Sequence, residues 1–379
     1  MDRRNASRSG RLPFRSVTML GLGVAASMVL AACGGSSSTV AGGTDTGAAT
    51  TDAAKEIAVS LITKDSTNAF FVAMQKGAQA AGEANGVKVT IASGKAEGDD
   101  QGQIDAIENA ISTKQAGILI TPMSTGVNDA IQKARDAGLY VIALDTPTDP
   151  PDVVDITFAT DNREAGKLIG QYTAAKLDGK KAVIALLDIF NDKVVSVDYY
   201  RDQGFLEGLG LADIGDPKKN GDEPKTGKYT GGKGGDYEII GNEATGANEE
   251  GGQKGMENLL AKNPNINVIY TINEPTAAGA DAAMKAAGKS GYILVSVDGG
   301  KAGVEDVAGG VIAATSQLYP LKMADLGVKA IADFVNNGTK PTVSEGLDFF
   351  NTGVTLIAKD PVAGVESKDP QYGLDNAWG

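Results

Sequence analysis

The chain contains no histidine and one cysteine in 379 residues. Those absences remove the Ser-His-Asp and Cys-His nucleophile arrangements, the HExxH zinc site and every Cys/His metal cluster. One cysteine also leaves no intrachain disulfide framework. Aromatic residues make up 5% of the chain, with a single tryptophan. After residue 33 no apolar run approaches the roughly 18 residues that a membrane-spanning helix needs. Basic side chains are outnumbered by acidic ones, 35 to 48. An acidic surface argues against nucleic acid as a partner and against electrostatic binding to anionic lipid. Catalysis on carboxylates alone, as in glycosidases, stays open as a rival. The leading expectation is a protein that is not an enzyme and carries no cofactor and no metal.

What is present begins with five arginines in the first 15 residues, followed by the small, apolar run Val17–Leu30 and then Ala31-Ala32-Cys33. The order of a basic stretch, a short apolar stretch and small residues before a cysteine resembles a bacterial lipoprotein signal. Residues 1–32 are then the signal peptide, and Cys33 is the lipidated first residue of the mature chain. Residues 33–55 are rich in Gly, Ser, Thr and Ala without apolar period, and read as a flexible tether. Without residues 1–32 the chain keeps 30 basic and 47 acidic side chains, a formal charge of −17. The expected location is the extracytoplasmic face of the cell envelope, with the membrane reached through the lipid anchor only.

From residue 56 onward two textures alternate. Short β-branched runs at 56–63, 87–93, 116–121, 140–145, 156–160, 181–188, 237–241, 267–273, 292–298 and 311–317 are nearly continuously apolar. That is the pattern of parallel strands covered on both faces. Between them, alanine-rich segments with helical spacing predict helices at 69–85, 101–114, 125–137, 162–178, 249–262, 275–287 and 320–337. Repeated strand-helix-strand units mean an α/β fold with parallel sheets and right-handed crossovers. Ten strands and some 320 residues exceed one tidy sheet and one core, so two lobes are expected. Residues 212–236 are polar and aperiodic, and predict a long surface loop.

Polar residues recur where the apolar runs end: Lys64, Asp65 and Asn68, then Asp145, Asn273, Asp298 and Gln317. In open α/β sheets ligands bind beyond the carboxyl ends of the strands. Each residue alone is what a helix N-cap or turn would use. Together they point to a shared polar cleft. Phe70 and Phe71 are adjacent, and neighbouring helix positions point about 100° apart. One of the pair is therefore free to face a cleft. An aromatic face beside carboxylates, amides and a cation suits a neutral polyhydroxylated ring.

At this point strings of residues carry a resemblance. TKDSTNAFF (63–71), VIALDTPT (141–148), FATDNREAGKLIG (158–170), YRDQGF (200–205), TINEP (271–275), SVDGG (296–300) and ATSQLYP (314–320) resemble the sugar-binding proteins of ABC importers, in the type-I, ribose-binding-like periplasmic family. TINEP, PVAGVESKDP (361–370) and YGLDNAWG (372–379) look most like its fructose-binding branch. The resemblance implies two Rossmann-like lobes joined by a three-strand hinge. The first lobe is 56–160 plus 318–352 and the second 161–317 plus 353–379. It implies a substrate-binding set of Lys64, Asp65, Asn68, Phe70, Phe71, Asp145, Arg201, Asn248, Asn273, Asp298 and Gln317. Arg201 comes from the resemblance alone. Two departures from the ribose-binding pattern stand out. Asp145 is followed by Thr146 rather than arginine, and a ring-stacking aromatic of the second lobe is replaced near Ala247-Asn248.

The implied partners are one monosaccharide (fructose, another ketose, a pentose or a polyol) and the transmembrane subunits of an ABC permease, with the protein acting as a monomer. A sensor that presents bound sugar to a membrane receptor would read the same way. Arg201 and Asp298 are expected from opposite sides of the cleft. Several motifs fail on inspection. Gly288-Lys289-Ser290 lacks the first glycine of a phosphate loop, since position 283 is Ala. The acidic stretch Asp213–Asp222 does not fit a calcium-loop spacing. Asp188 and Asp192 could edge the cleft or simply close a turn.

Overall fold

The computed structural model describes residues 56–379; the signal, Cys33 and the tether lie outside the described residues. In chain order the first elements are β1 (Ile57–Thr63), α1 (Ala69–Asn85), β2 (Val87–Ser93), α2 (Asp100–Ser112), β3 (Gly117–Ile120), α3 (Asn128–Asp136), β4 (Tyr140–Leu144) and β5 (Ile156–Ala159). Next come α4 (Asn162–Leu177), β6 (Ala182–Asp188), α5 (Ser196–Leu209), β7 (Thr226–Tyr229), β8 (Gly235–Ala244), α6 (Glu249–Lys262), β9 (Val268–Thr271) and α7 (Glu274–Ala286). The chain ends with β10 (Ile293–Asp298), α8 (Lys301–Gly309), β11 (Ala314–Gln317), α9 (Pro320–Asn337), β12 (Phe350–Asn351), β13 (Thr355–Ala358) and α10 (Pro370–Asp375).

Two sheets result. The first has the order β12-β5-β4-β3-β1-β2 and is parallel throughout. The second has the order β13-β11-β10-β9-β6-β8-β7, parallel inside, with β13 and β7 antiparallel at its two edges. This is the two-lobed α/β architecture that the alternating textures predict. The inner strands β3, β4, β5, β6, β9 and β11 are buried at every residue, which is why they read as unbroken apolar runs. The chain passes between the sheets three times, at 160–161, 318–319 and 352–354.

The structure departs from the sequence reading at several places; β12, β13 and α10 have no counterpart among the predicted elements, and three further departures have a clear physical reason. Helix α5 has no counterpart among the predicted helices. Twelve of its fourteen residues are buried, among them Asp198, Arg201, Asp202 and Gln203, so it has no wet face and no apolar period to read. Helix α8 is nine residues long with glycine at and beyond its end, too short to show a period. Residues 212–236 are not all loop. β7 lies within them and pairs antiparallel with β8 over Thr226–Tyr229. As an edge strand it is mostly exposed, which accounts for its polar composition.

One helix interface bears directly on the site. Gly166 and Gly170 of α4 face the backbone of Arg201 and Phe205, while Gly204 and Gly208 of α5 face the backbone of Arg163 and Lys167. A Cβ at any of the four would run into main-chain atoms. The two helices therefore touch backbone to backbone, and methyl insertion here should cost on the order of 1–3 kcal/mol. This contact brings Arg201 up to the first crossover.

Candidate functional site

A tight cavity of about 30 Å³ lies between the carboxyl ends of the two sheets. The first lobe contributes Lys64, Asn68, Phe70, Phe71, Glu97 and Asp145. The second contributes Arg201, Asn273 and Asp298, with Ile189, Val197, Ala247 and Ile272 as apolar wall. Small-molecule sites are commonly built this way, from apolar walls and a few convergent polar groups.

Each side chain is set by local structure. Lys64 follows the last residue of β1 and is 2% exposed; its Nζ lies 3.1 Å from the Glu97 carboxylate. Burial raises the Glu97 carboxyl above its usual range, with the Lys64 ammonium pulling against it. Asn68 caps α1, its Oδ1 accepting from the Phe70 N–H at 2.9 Å. That cap starts the helix so that Phe70 and Phe71 fall in its first turn, their rings edge-to-face at 5.5 Å. Asn273 caps α7 in the same way, its Oδ1 accepting from the Thr276 N–H, while its Nδ2 donates to the Ala247 carbonyl. The cap role and the cavity role are thus carried by the same asparagines.

Arg201 is the hub. Its Nε donates to Asn162 Oδ1 at 2.8 Å and its Nη1 to the Ile272 carbonyl at 3.0 Å. It also lies 3.8 Å from the Asp145 carboxylate and 3.7 Å from that of Asp298. All three charged groups are about 5% exposed. Burial pushes the Asp298 carboxyl up to about 7, against the pull of Arg201 and with the push of Asp145. Behind it, Glu274 accepts from the N–H groups of Gly299 and Gly300 and from the Thr315 hydroxyl, and burial pushes it up to about 8.

Asp145, Ala247 and Asp298 have φ of 64°, 56° and 134°. They are three of the five non-glycine residues with positive φ among the described residues, and all three line the cavity. Each costs about 1–3 kcal/mol of backbone strain, which persists only where the surroundings impose it. The next residue, Gly299, also has positive φ, and a Cβ there would collide with Gln317. The two rims are tied together outside the cavity. Lys193 Nζ donates to the Gly98 carbonyl (2.6 Å) and to Asp100 (3.1 Å), Ser196 Oγ donates to the Pro147 carbonyl, and Lys218 Nζ spans both oxygens of Asp149 at 2.8 and 2.9 Å.

Eight of the residues named from sequence stand around this cavity, and three do not. Asp65 turns back to accept from Thr67 and Asn68 and so builds the loop. Asn248 is exposed and caps α6 through Gly251. Gln317 is buried beneath the site, its Nε2 donating to the carbonyls of Gly299 and Gly373. Arg201 and Asp298 do not face each other across the cleft; both belong to the second lobe, and Arg201 reaches over to Asp145. Asp188 is buried at the end of β6 against Asn242 rather than at this cavity. Sequence reasoning missed Glu97, because it sits in a polar stretch after β2 and nothing local marks it as the partner of Lys64. Among the described residues, no group of three or more Asp, Glu, His or Cys is arranged to hold a metal ion, and no helix is long and apolar enough to cross a membrane.

The comparisons agree with this architecture. The chain is 26% identical to the ribose import binding protein of Bacillus subtilis, over 76% of this chain and 84% of that one. It is 27% identical to the D-allose-binding periplasmic protein of Escherichia coli, over 76% and 86%. The crystal structure of an ABC transporter solute binding protein from Agrobacterium vitis with bound D-fucose superposes with a TM-score of 0.68 at 24% identity, covering 85% of this chain and all of that one. Residues 57–340 match the family described as the periplasmic binding protein domain, and the chain belongs to that family.

Proposed function

We propose that the protein captures one monosaccharide outside the cytoplasm and delivers it to the transmembrane subunits of an ABC permease. The observation that carries this reading is the cavity itself: two edge-to-face phenylalanines beside a buried Arg201–Asp145–Asp298 group and a buried Lys64–Glu97 pair. Aromatic faces take the C–H face of a sugar ring, and charged donors and acceptors take its hydroxyls. The named relatives bind ribose and D-allose, a pentose and a hexose, which supports a single-ring ligand for this chain. Within that class we assign a ketose, fructose or a close relative, on the strings TINEP, PVAGVESKDP and YGLDNAWG. The two lobes act as the jaws of a hinge along the three crossovers, and the closed form is the one the permease receives. Cys33 anchors the mature chain by lipid, and it works as a monomer.

A thermal-shift panel of ketoses, aldopentoses, aldohexoses, polyols and disaccharides on the full chain tests the reading. D-fructose should raise the melting temperature and disaccharides should not. At one hundred times its dissociation constant a ligand adds about 2.7 kcal/mol. A flat response to every monosaccharide at millimolar concentration would overturn the reading. Cys33→Ser should keep the sugar response and lose membrane retention; a variant still held by membranes would remove the anchor from the proposal.

A further inference from the structure

The family match ends at residue 340, but the chain continues to a tail that reaches the cavity wall. The tail is seated first on the second lobe. Gly373 of α10 lies against Val304 and Ile357, and its carbonyl accepts from Gln317 Nε2 at 2.9 Å. Just beyond Asp375, where α10 ends, the chain places Trp378, the sole tryptophan, in a buried slot.

Trp378 touches three parts of the fold. Its carbonyl accepts from the Lys301 N–H at 2.9 Å, at the start of α8 in the second lobe, and its ring lies over Gly300, where a Cβ would stand 3.1 Å from it. Its Nε1 donates to the Leu318 carbonyl at 3.0 Å, in the crossover between β11 and α9. Its ring meets Phe70 of the first lobe edge-to-face, 5.1 Å between centroids at 84°. Phe70 in turn lines the cavity and meets Phe71 in the same geometry. A ring held at both ends by edge contacts is fixed in place in a way that a lone ring in a helix's first turn is not.

We propose that Trp378 is a positioning residue for the binding cavity: the tail straps the second lobe and the crossover to Phe70, and so sets where the aromatic wall stands. The proposal rests on the reading of the cavity as a monosaccharide site. It gives Gln317 a role that the sequence reading placed in the cavity itself, namely holding the strap from below.

The experiment uses the full chain and three probes, D-fructose, D-ribose and D-allose. Trp378→Phe keeps an aromatic edge against Phe70 and should hold affinity for the best probe within about threefold. Trp378→Leu fills much of the volume without the edge and should lose about tenfold. Sugar should change the emission of Trp378 in the native protein. Phe70→Leu should abolish that change. Hydrogen exchange without sugar should show loss of protection at residues 69–74 in Trp378→Leu, and little loss in Trp378→Phe. If no probe raises the melting temperature of the native protein, the functional reading falls, and the exchange result still decides the strap. If a sugar binds but neither emission nor exchange at 69–74 responds, Trp378 only packs and the inference is overturned.

Discussion

Acidification from pH 8 to pH 5 should stabilise the ligand-free protein, the reverse of ordinary acid behaviour. Asp298, Glu274 and Asp198 have carboxyls that burial pushes up to about 7, 8 and 6. The sign follows from proton counting. Between the unfolded and folded pKa values the folded chain holds the proton and the unfolded chain does not, so stability falls as pH rises through that window. Between pH 5 and pH 8 the unfolded Asp298 carboxyl is already ionised while the folded one keeps its proton over about two pH units, worth about 3 kcal/mol at about 1.4 kcal/mol per unit. Glu274 feels the charge of Asp298, so those two effects do not add; Asp198 stands apart from them, beside Asp188 and Asp202. A gain of about 3 kcal/mol from Asp298 corresponds to a melting temperature higher by roughly 4–8 °C at pH 5 than at pH 8. The window stops near pH 5 because Glu207, whose carboxyl is held low by Arg163, loses its ion pair below that. A falling net negative charge would also stabilise on acidification, so the decisive comparison is Asp298→Asn. That variant carries a neutral isostere at every pH and should reduce the slope between pH 5 and 8, leaving the part that Glu274 and Asp198 supply. Scanning calorimetry of both proteins checks this. A native melting temperature that falls steadily from pH 8 to pH 5, or a variant with the native slope, would refute the reasoning.

Arg201→Ala should lower both ligand affinity and ligand-free stability, the latter by about 3–5 kcal/mol, because it strands Asp145 and Asp298 and releases Asn162 and the Ile272 carbonyl. Arg201→Lys restores the charge without the fork and should recover little; denaturant melts with calorimetric titration read both, and native values in either variant would dissolve the hub. Lys193→Ala with Lys218→Ala removes the charged ties between the rims. Each partly exposed pair is worth about 0.5 kcal/mol, so the double variant should release ligand several times faster in stopped-flow at low salt. The difference should vanish in high salt, and a salt-independent effect would contradict an electrostatic tie.

The α/β class was legible because strands buried on both faces leave unbroken apolar runs, and because helices with one wet face leave a period. The same logic explains the failures. Helix α5 is buried nearly all round, so the element that carries Arg201 has no period. β7 is an exposed edge and reads as loop. Strand-end polarity picked out Lys64, Asn68, Asp145, Asn273 and Asp298, all now around one cavity. It could not separate them from Asp65 and Gln317, which hold backbone instead.

By itself, then, the sequence determined the layered architecture, the acid excess and the side of each sheet on which polar groups gather, since those follow from local spacing and composition. The tertiary structure alone decided which groups meet. Glu97 finds Lys64 across a loop, and Arg201 joins Asp145, Asn162 and Asp298 from separate elements. Trp378 reaches Phe70 from the far end of the chain. Left-handed backbone at Asp145, Ala247 and Asp298 is likewise imposed from outside. Such pairings are fixed by packing between distant segments, and no periodicity along the chain records them.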